Sequence, residues 1–295
     1  ELRVTLLRIN MSHTRISELP KVVKFIKANT DIPICLDTEG SQIRTGRIID
    51  GSVLIQESRI INIHRKQIPG DAMNISFYPS EAINGIQVGD LISVDFNTAL
   101  VQVIKKEEEF LQAKVITEGL VRSNKAVSVN RQIYLKYLTE RDQEAIKIGL
   151  EMGLCHFALS FANNGEDVRQ FREIVGDGAF IISKIESRAG LSNLKEITRI
   201  SDAILIDRGD LSRDEPIECI PLLQKYILNV AKSLSARVYV ATNFLETMIT
   251  SPKPSRAECN DVLNTLIDGA DGIVLAEETA IGQNPIGCVN MISQL

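Results

Sequence analysis

"HFALSFANNGEDVRQFREIVGDGAFIISKIESRAG", residues 156–190, decides the fold. A short apolar run, His156–Phe161, leads into the helix-like segment Gly165–Gly176, and a second apolar run, Ala179–Ile185, follows. Strands this apolar along their whole length belong in a parallel sheet covered by helices. The same alternation continues in both directions. Upstream, "TERDQEAIKIGLEMG" (139–153) reads as a helix with a Thr cap and acids in its first turn. Downstream come helix 191–200, strand "AILID" (203–207), helix 221–234, strand "RVYVAT" (237–242), helix 256–269 and strand "GIVLA" (272–276).

The N-terminal region repeats the pattern. Runs Leu2–Ile9 and Ile32–Asp37 flank Ser17–Ala28, where Leu19, Val22, Val23 and Ile26 fall at helical spacing. Seven strands in β/α alternation are one short of a (β/α)8 TIM barrel, with the first βα unit missing ahead of residue 1. An open doubly wound sheet is the competing architecture, but no Gly-rich dinucleotide turn supports it.

Residues 46–130 differ in texture. "GSVLIQ", "RIINIH", "DLISVDF", "ALVQVI" and "LQAKVI" are short, rich in Val and Ile, and punctuated by Gly, Asn and Pro. They predict an inserted all-β, barrel-like domain. The barrel then comprises residues 1–45 and 131–295.

The chain has 295 residues, 44% of them hydrophobic, and a net charge of −5. Mild acidity argues against a nucleic-acid-binding face. No apolar run is long enough for a membrane span, and no signal peptide is recognisable. Five scattered cysteines show no metal-ligand spacing and read as buried thiols of a cytoplasmic protein. His64 and His156 read as surface or satisfied core residues, Glu107–Glu109 as a hairpin tip, and Phe244 and Met248 as core.

Catalytic groups of a β/α barrel lie at the carboxyl ends of its strands. Those ends carry Arg8, Asn10, Ser12 and His13; Asp37, Thr38 and Arg44; Ser160; Lys184 and Glu186; Asp210; Thr242; and Glu277 with Glu278. Polar groups at every strand end imply a site. Lys184 and Glu186, two residues apart, project to one face of their strand. Glu186 and Asp210 are hard oxygen donors suited to an open divalent site, which needs one or two carboxylates plus substrate oxygens. Lys184 would face a charged substrate group. Asn10, Ser12, Asp37 and Thr38 suit a second, weaker cation.

These blocks resemble the pyruvate kinase family. "RINMSH" (8–13), "LDTEGSQIRTG" (36–46), "ISKIES" (182–187), "RGDL" (208–211), "VATNFLETMITSPKPSRAECNDV" (240–262) and "LAEETAIGQNP" (275–285) match its motifs in order. The resemblance implies phosphoryl transfer between phosphoenolpyruvate and a nucleoside diphosphate such as ADP, giving pyruvate and the nucleoside triphosphate in glycolysis, with Mg²⁺ (or Mn²⁺) and K⁺ as cofactors. By resemblance, Lys184 stabilises the enolate and the transferring phosphoryl group. Glu186 and Asp210 hold the divalent metal, Arg8 neutralises the phosphate, and Thr242 sits where the proton is delivered. Asn10, Ser12, Asp37 and Thr38 match potassium ligands. Ser160, Gly209 and the rim residue Arg44 fall in the substrate set. His13 and Lys125, from "SNKAVSV", match nucleotide contacts. The β insert lies where the family has its mobile lid. The family usually tetramerises, partly through parts absent here, so the sequence defines no interface.

Departures cluster on the nucleotide side. Asp207 replaces an Ala, Glu39 a Lys, Glu277 a Gly and Ile281 a Lys; Ser212 and Arg213 replace the Gly ending the Arg-Gly-Asp-Leu-Gly turn; Asn163 replaces an Arg; Cys259 and Asn260 replace Gly and Ser. The first strand and the C-terminal regulatory domain are missing. Two alternatives follow: a divergent enzyme using metal-enolate chemistry on another substrate or acceptor, or a non-catalytic metabolite-binding homologue.

Overall fold

The computed structural model describes residues 3–95, 98–131 and 133–295. Leu2, expected to open the first strand, and Phe96, expected to close "DLISVDF", lie outside the described residues. The chain forms two compact units, one of residues 1–40 with 137–295 and one of residues 41–136.

The first unit is an α/β barrel. Seven strands, β1 (Leu7–Asn10), β2 (Ile34–Asp37), β3 (His156–Leu159), β4 (Phe180–Ile185), β5 (Ala203–Asp207), β6 (Arg237–Ala241) and β7 (Gly272–Val274), pair in parallel in chain order. The sheet curls into a nearly closed barrel. Between strands run α1 (Leu19–Asn29), α2 (Glu140–Glu151), α3 (Gly165–Val175), α4 (Arg188–Ser192), α5 (Leu194–Ile200), α6 (Arg208–Asp214), α7 (Ile220–Ser233) and α8 (Arg256–Ile267); α9 (Glu277–Ala280) and α10 (Pro285–Gln294) follow β7.

Helix starts obey the capping signals in the sequence. Thr139 and Ser255 each accept from the backbone N–H three residues on, and Asp142 and Glu258 return the bond, which completes two capping boxes. The first strand is shorter than its apolar run, because its pairing with β2 begins only at Leu7, opposite Ile34. The expected helix 191–200 is two pieces, with Asn193 at the junction, where its side chain donates to the carbonyl of Asn163.

Alternation along each strand divides the core in two. Outward residues such as Ile181, Ile185, Ile204, Ile206 and Val240 join the helices' apolar faces in one cluster. The inward set is Cys35, Ala158, Ile182, Ala203, Leu205 and Ala241. Most of these are small, as the narrow lumen of a small barrel requires.

The second unit is a seven-stranded sheet plus a two-stranded ribbon around its own Ile- and Val-rich core. The runs expected as strands form at Ser52–Ile55, Ile60–His64, Leu91–Val94, Ala99–Lys106 and Phe110–Thr117. Glu107–Glu109 form the tip joining the last two. Asn74–Tyr78 was not expected as a strand; it pairs in parallel with Ile60–His64 and antiparallel with Arg44–Thr45. That last pairing is why this unit starts before residue 46. His64 contacts Asn74 Oδ1 at 3.2 Å.

Among the cysteines only Cys35 and Cys288 are buried; Cys155 is exposed, and Cys219 and Cys259 are half-buried. The uniform burial expected of them is thus corrected: Cys155 lies in the loop immediately ahead of β3 rather than within a strand. Phe244 and Met248 are core. Among the described residues no helix is long and apolar enough to cross a membrane.

Candidate active site

The inward stripes run on beyond the apolar lumen and turn polar at the strands' carboxyl ends. Cys35 is followed at period two by Asp37, Ala158 by Ser160, Ile182 by Lys184 and then Glu186, and Leu205 by Asp207. The alternation that fills the barrel thereby delivers these side chains to one buried place.

Lys184 is the hub. Its Nζ lies 2.8 Å from Glu186 Oε1, 3.5 Å from Asp37 Oδ2 and 3.6 Å from Asp207 Oδ2, and donates to Ser160 Oγ at 3.2 Å. Ser160 Oγ in turn donates to the Thr38 carbonyl at 2.7 Å. Arg8 Nε pairs with Asp37 Oδ2 at 3.5 Å, while its Nη1 is buried without a hydrogen-bond partner. Burial opposes the charge on Lys184, but Asp37, Glu186 and Asp207 outweigh it, and its pKa lies above the ordinary lysine value. Arg8 shows the same balance, with Asp37 and Asp207 overcoming burial. Both cations are therefore fixed.

Glu186 is 1% exposed. Its Oε2 accepts from the backbone N–H of Phe161 at 2.7 Å, but its Oε1 has no aligned hydrogen bond despite the nearby Lys184. Burial, reinforced by Asp210 and Asp207 against the pull of Lys184, pushes its carboxyl up to about 8. Asp210, in the first turn of α6, is bound by Arg213 Nη1 at 2.5 Å. Burial would raise its pKa, but Arg213 and Lys184 hold it below the usual range.

Glu186, Asp207 and Asp210 each offer a carboxylate oxygen, all within 4.8 Å of one another. A hard divalent cation fits this donor set, and the unaligned buried Oε1 of Glu186 is the kind of acceptor such an ion satisfies.

Thr242 follows β6 with φ of 74°, an outlier for a β-branched residue. Arg208 holds it there: Nε and Nη2 donate to the Thr242 carbonyl at 3.1 and 2.5 Å, and Nη1 pairs with Asp261. The guanidinium stacks 4.0 Å over Phe244. Thr242 Oγ1 accepts from Gly209 N at 2.9 Å and lies 3.4 Å from Asp207 Oδ1. Local strain of this kind persists only where surrounding structure enforces it.

The residues expected to hold a second cation lie at and just beyond the ends of β1 and β2. Asn10 and Asp37 are register partners on β1 and β2, and Asn10 Oδ1 accepts from Ser12 N at 2.9 Å. Thr38 Oγ1 is engaged by Ala158 O and Ser160 N. His13 is exposed in the turn after β1.

Several strand-end residues have other work. Glu278 is buried and accepts from Ala276 N and Leu245 N, while Glu277 and Ile281 are exposed. Asn163 accepts from Ser187 Oγ at 2.6 Å. Glu39 pairs with Arg141. Arg44 and Lys125 belong to the second unit. There Arg44 Nη1 donates to Asn124 O at 3.2 Å, and Lys125 Nζ lies 3.9 Å from Asp95.

Sequence reasoning gave Arg208, Arg213 and the Phe161 amide none of these roles. The i,i+3 spacing of Asp210 and Arg213 within a helical turn was a usable signal for that pair.

Residues 3–289 match the family model "Pyruvate kinase, barrel domain". The chain belongs to the pyruvate kinase family. It is 34% identical over 304 residues to the pyruvate kinase of Thermotoga maritima, covering 100% of this chain and 65% of that protein. To the pyruvate kinase of Thermoplasma acidophilum it is 33% identical over 297 residues, covering 99% of this chain and 53% of that protein. To one from Agrobacterium vitis it is 32% identical, covering 98% and 62%. The chain thus spans between about half and two thirds of the length of the pyruvate kinases it matches.

Proposed function

We propose that this chain is the catalytic part of a cytoplasmic pyruvate kinase-type phosphotransferase. The observation that carries the reading is Lys184, a fixed ammonium buried among three carboxylates beside Arg8, whose Nη1 has no acceptor. Phosphoryl transfer needs charge neutralisation and positioning more than covalent help. Arg8 binds the phosphate of phosphoenolpyruvate. Lys184 stabilises charge on the transferring group and on the enolate oxygen. Glu186 and Asp210 would hold Mg²⁺ or Mn²⁺, which when bound supplies Lewis-acid neutralisation of phosphate oxygens. Asn10, Ser12, Asp37 and Thr38 would hold K⁺. Ser160, Gly209 and Arg44 complete the substrate contacts, and Thr242 stands where the enolate carbon receives its proton. His13 and Lys125 contact the nucleoside diphosphate.

A second reading, metal-dependent enolate chemistry on a different substrate or acceptor, is favoured by Asp207. Its carboxylate adds an anion where an anionic substrate must approach Lys184.

The test is direct. Full-length protein is incubated with phosphoenolpyruvate, Mg²⁺, K⁺ and each nucleoside diphosphate, and pyruvate is followed. Formation of pyruvate supports the first reading. Its absence with every diphosphate, together with proton exchange at C3 of pyruvate, supports the second.

A further inference from the structure

Asp207 has no counterpart among the groups assigned above, yet it sits inside the same cluster. It is 5% exposed, on the last residue of β5, and continues the inward stripe of Ala203 and Leu205. One carboxylate oxygen lies 3.6 Å from Lys184 Nζ. The other accepts weakly, at 3.4 Å, from Asp210 N and from Thr242 Oγ1, whose proton has a closer acceptor, the Ala241 carbonyl, at 2.6 Å. No strong hydrogen bond consumes this carboxylate.

The charge balance of the cluster sharpens the point. With Glu186 ionised, as cation binding requires, Asp37, Glu186, Asp207 and Asp210 face Arg8, Lys184 and Arg213, which leaves one negative charge unmatched in a buried place. Uncompensated buried charge is costly and draws in a cation. The buried Oε1 of Glu186 has Lys184 Nζ 2.8 Å away but no aligned hydrogen bond, an independent sign that this oxygen can still serve a cation. The three carboxylates that could share an ion are Glu186, Asp207 and Asp210.

We propose that Asp207 is a third protein ligand of the divalent cation. The proposal rests on the reading of Glu186 and Asp210 as the metal site. An open two-carboxylate site leaves much of the coordination to substrate oxygens. A third carboxylate supplies one of those oxygens from the protein and adds the charge that sets affinity.

The test uses Mn²⁺ alone as probe, titrated into the full chain without phosphoenolpyruvate or nucleotide, with free Mn²⁺ read by electron paramagnetic resonance. Asp207→Asn keeps the volume and the acceptor facing Asp210 N but removes the charge. Asp207→Ala is the second variant, and thermal melts establish that each is folded. The unsubstituted protein binds one Mn²⁺ and Asp207→Asn weakens it at least about tenfold, the scale of losing a metal-site partner. Glu186→Gln is the reference for the site itself. If Glu186→Gln weakens Mn²⁺ binding and neither folded Asp207 variant does, Asp207 is no ligand and the proposal fails while the site stands. If Glu186→Gln also leaves binding unchanged, the assignment of the metal site fails and takes the proposal with it.

Discussion

Lys184 Nζ stands 2.8 Å from Glu186 Oε1, and the two residues are neighbours on one face of one strand end. That single spacing places the cation beside the carboxylate it must not neutralise permanently if both are to serve. Asp37 at the end of β2 and Asp207 at the end of β5 share the same ammonium at 3.5 and 3.6 Å.

Replacing Lys184 by Met separates its two roles. Turnover should fall by at least about a hundredfold, since a preorganised charge at the reacting group is lost. Mn²⁺ binding should survive, because the carboxylates remain and a competing cation is gone. The cost in stability should be about 3–5 kcal/mol, because removing the ammonium leaves buried carboxylates uncompensated. Turnover near the unsubstituted level would remove Lys184 from the chemistry. Loss of Mn²⁺ binding in a folded variant would show that the ammonium organises the metal site.

Glu186 predicts a pH signature. Its pKa is raised from 4.5 to about 8 by burial, so the cation-free native state binds a proton that the unfolded chain releases. Stability of the cation-free protein therefore falls as pH climbs from about 4.5 to about 8 and is flat above. Asp210, shifted the opposite way, titrates below that window. Cation binding displaces the Glu186 proton, so affinity rises over the same interval. Thermal melts at about pH 6 and pH 8.5, with chelator and with Mg²⁺, should show a larger Mg²⁺-induced rise in Tm at the higher pH. An equal rise at both would mean that Glu186 is already ionised or lies outside the metal site.

Much of this site was legible because the barrel's inward face is written in steps of two. Lys184 with Glu186, Asp37, Ser160 and Arg8 all follow from strand ends and alternation, and the structure gathers them. What escaped were relationships that cross elements. Arg208 grips the Thr242 carbonyl from the segment after β5, and Arg213 binds Asp210 only because Arg208–Asp214 is helical rather than an open turn. Glu278 read as a strand-end acid but is spent on two backbone amides. In the second unit Asn74–Tyr78 hid because it pairs in parallel with Ile60–His64, so no tight turn marks it. Val4–Leu6 read as strand from composition, yet the strand begins at Leu7.

Gly40 is a place where backbone shape controls the site. Its φ is +72°, and an added Cβ would lie 2.8 Å from Phe161 Cδ2 and 2.9 Å from Ser160 Cβ. Gly40→Ala should cost about 2–3 kcal/mol from left-handed strain plus overpacking. It should also push Ser160 away from Lys184, raising KM or lowering kcat. Gly176 is the control, with φ of +86° and nothing near its Cβ position. With ψ of 160° its backbone lies in a region essentially restricted to glycine, so Gly176→Ala should cost about 1–3 kcal/mol yet leave kinetics unchanged. Equal kinetic effects at the two positions would mean that strain alone, not displacement of Ser160, is felt.

Asp142 ties the start of α2 to the segment that follows β2. It is fully buried, and its carboxylate accepts from Glu39 N at 2.7 Å, Gly40 N at 3.1 Å, Thr139 N at 3.2 Å and Thr139 Oγ1 at 2.8 Å. The N-terminus of α2 adds a favourable field for its charge. Asp142→Ala leaves several buried donors unsatisfied and should cost about 3 kcal/mol or more, measured by urea unfolding. Asp142→Asn keeps the volume but turns one acceptor into a donor facing another donor, so it should recover only part of the loss. Because the Glu39–Gly40 amides follow directly on Asp37 and Thr38, loosening them should also weaken the K⁺ dependence of activity. A variant as stable as the unsubstituted protein would show that water replaces Asp142 at these amides without loss.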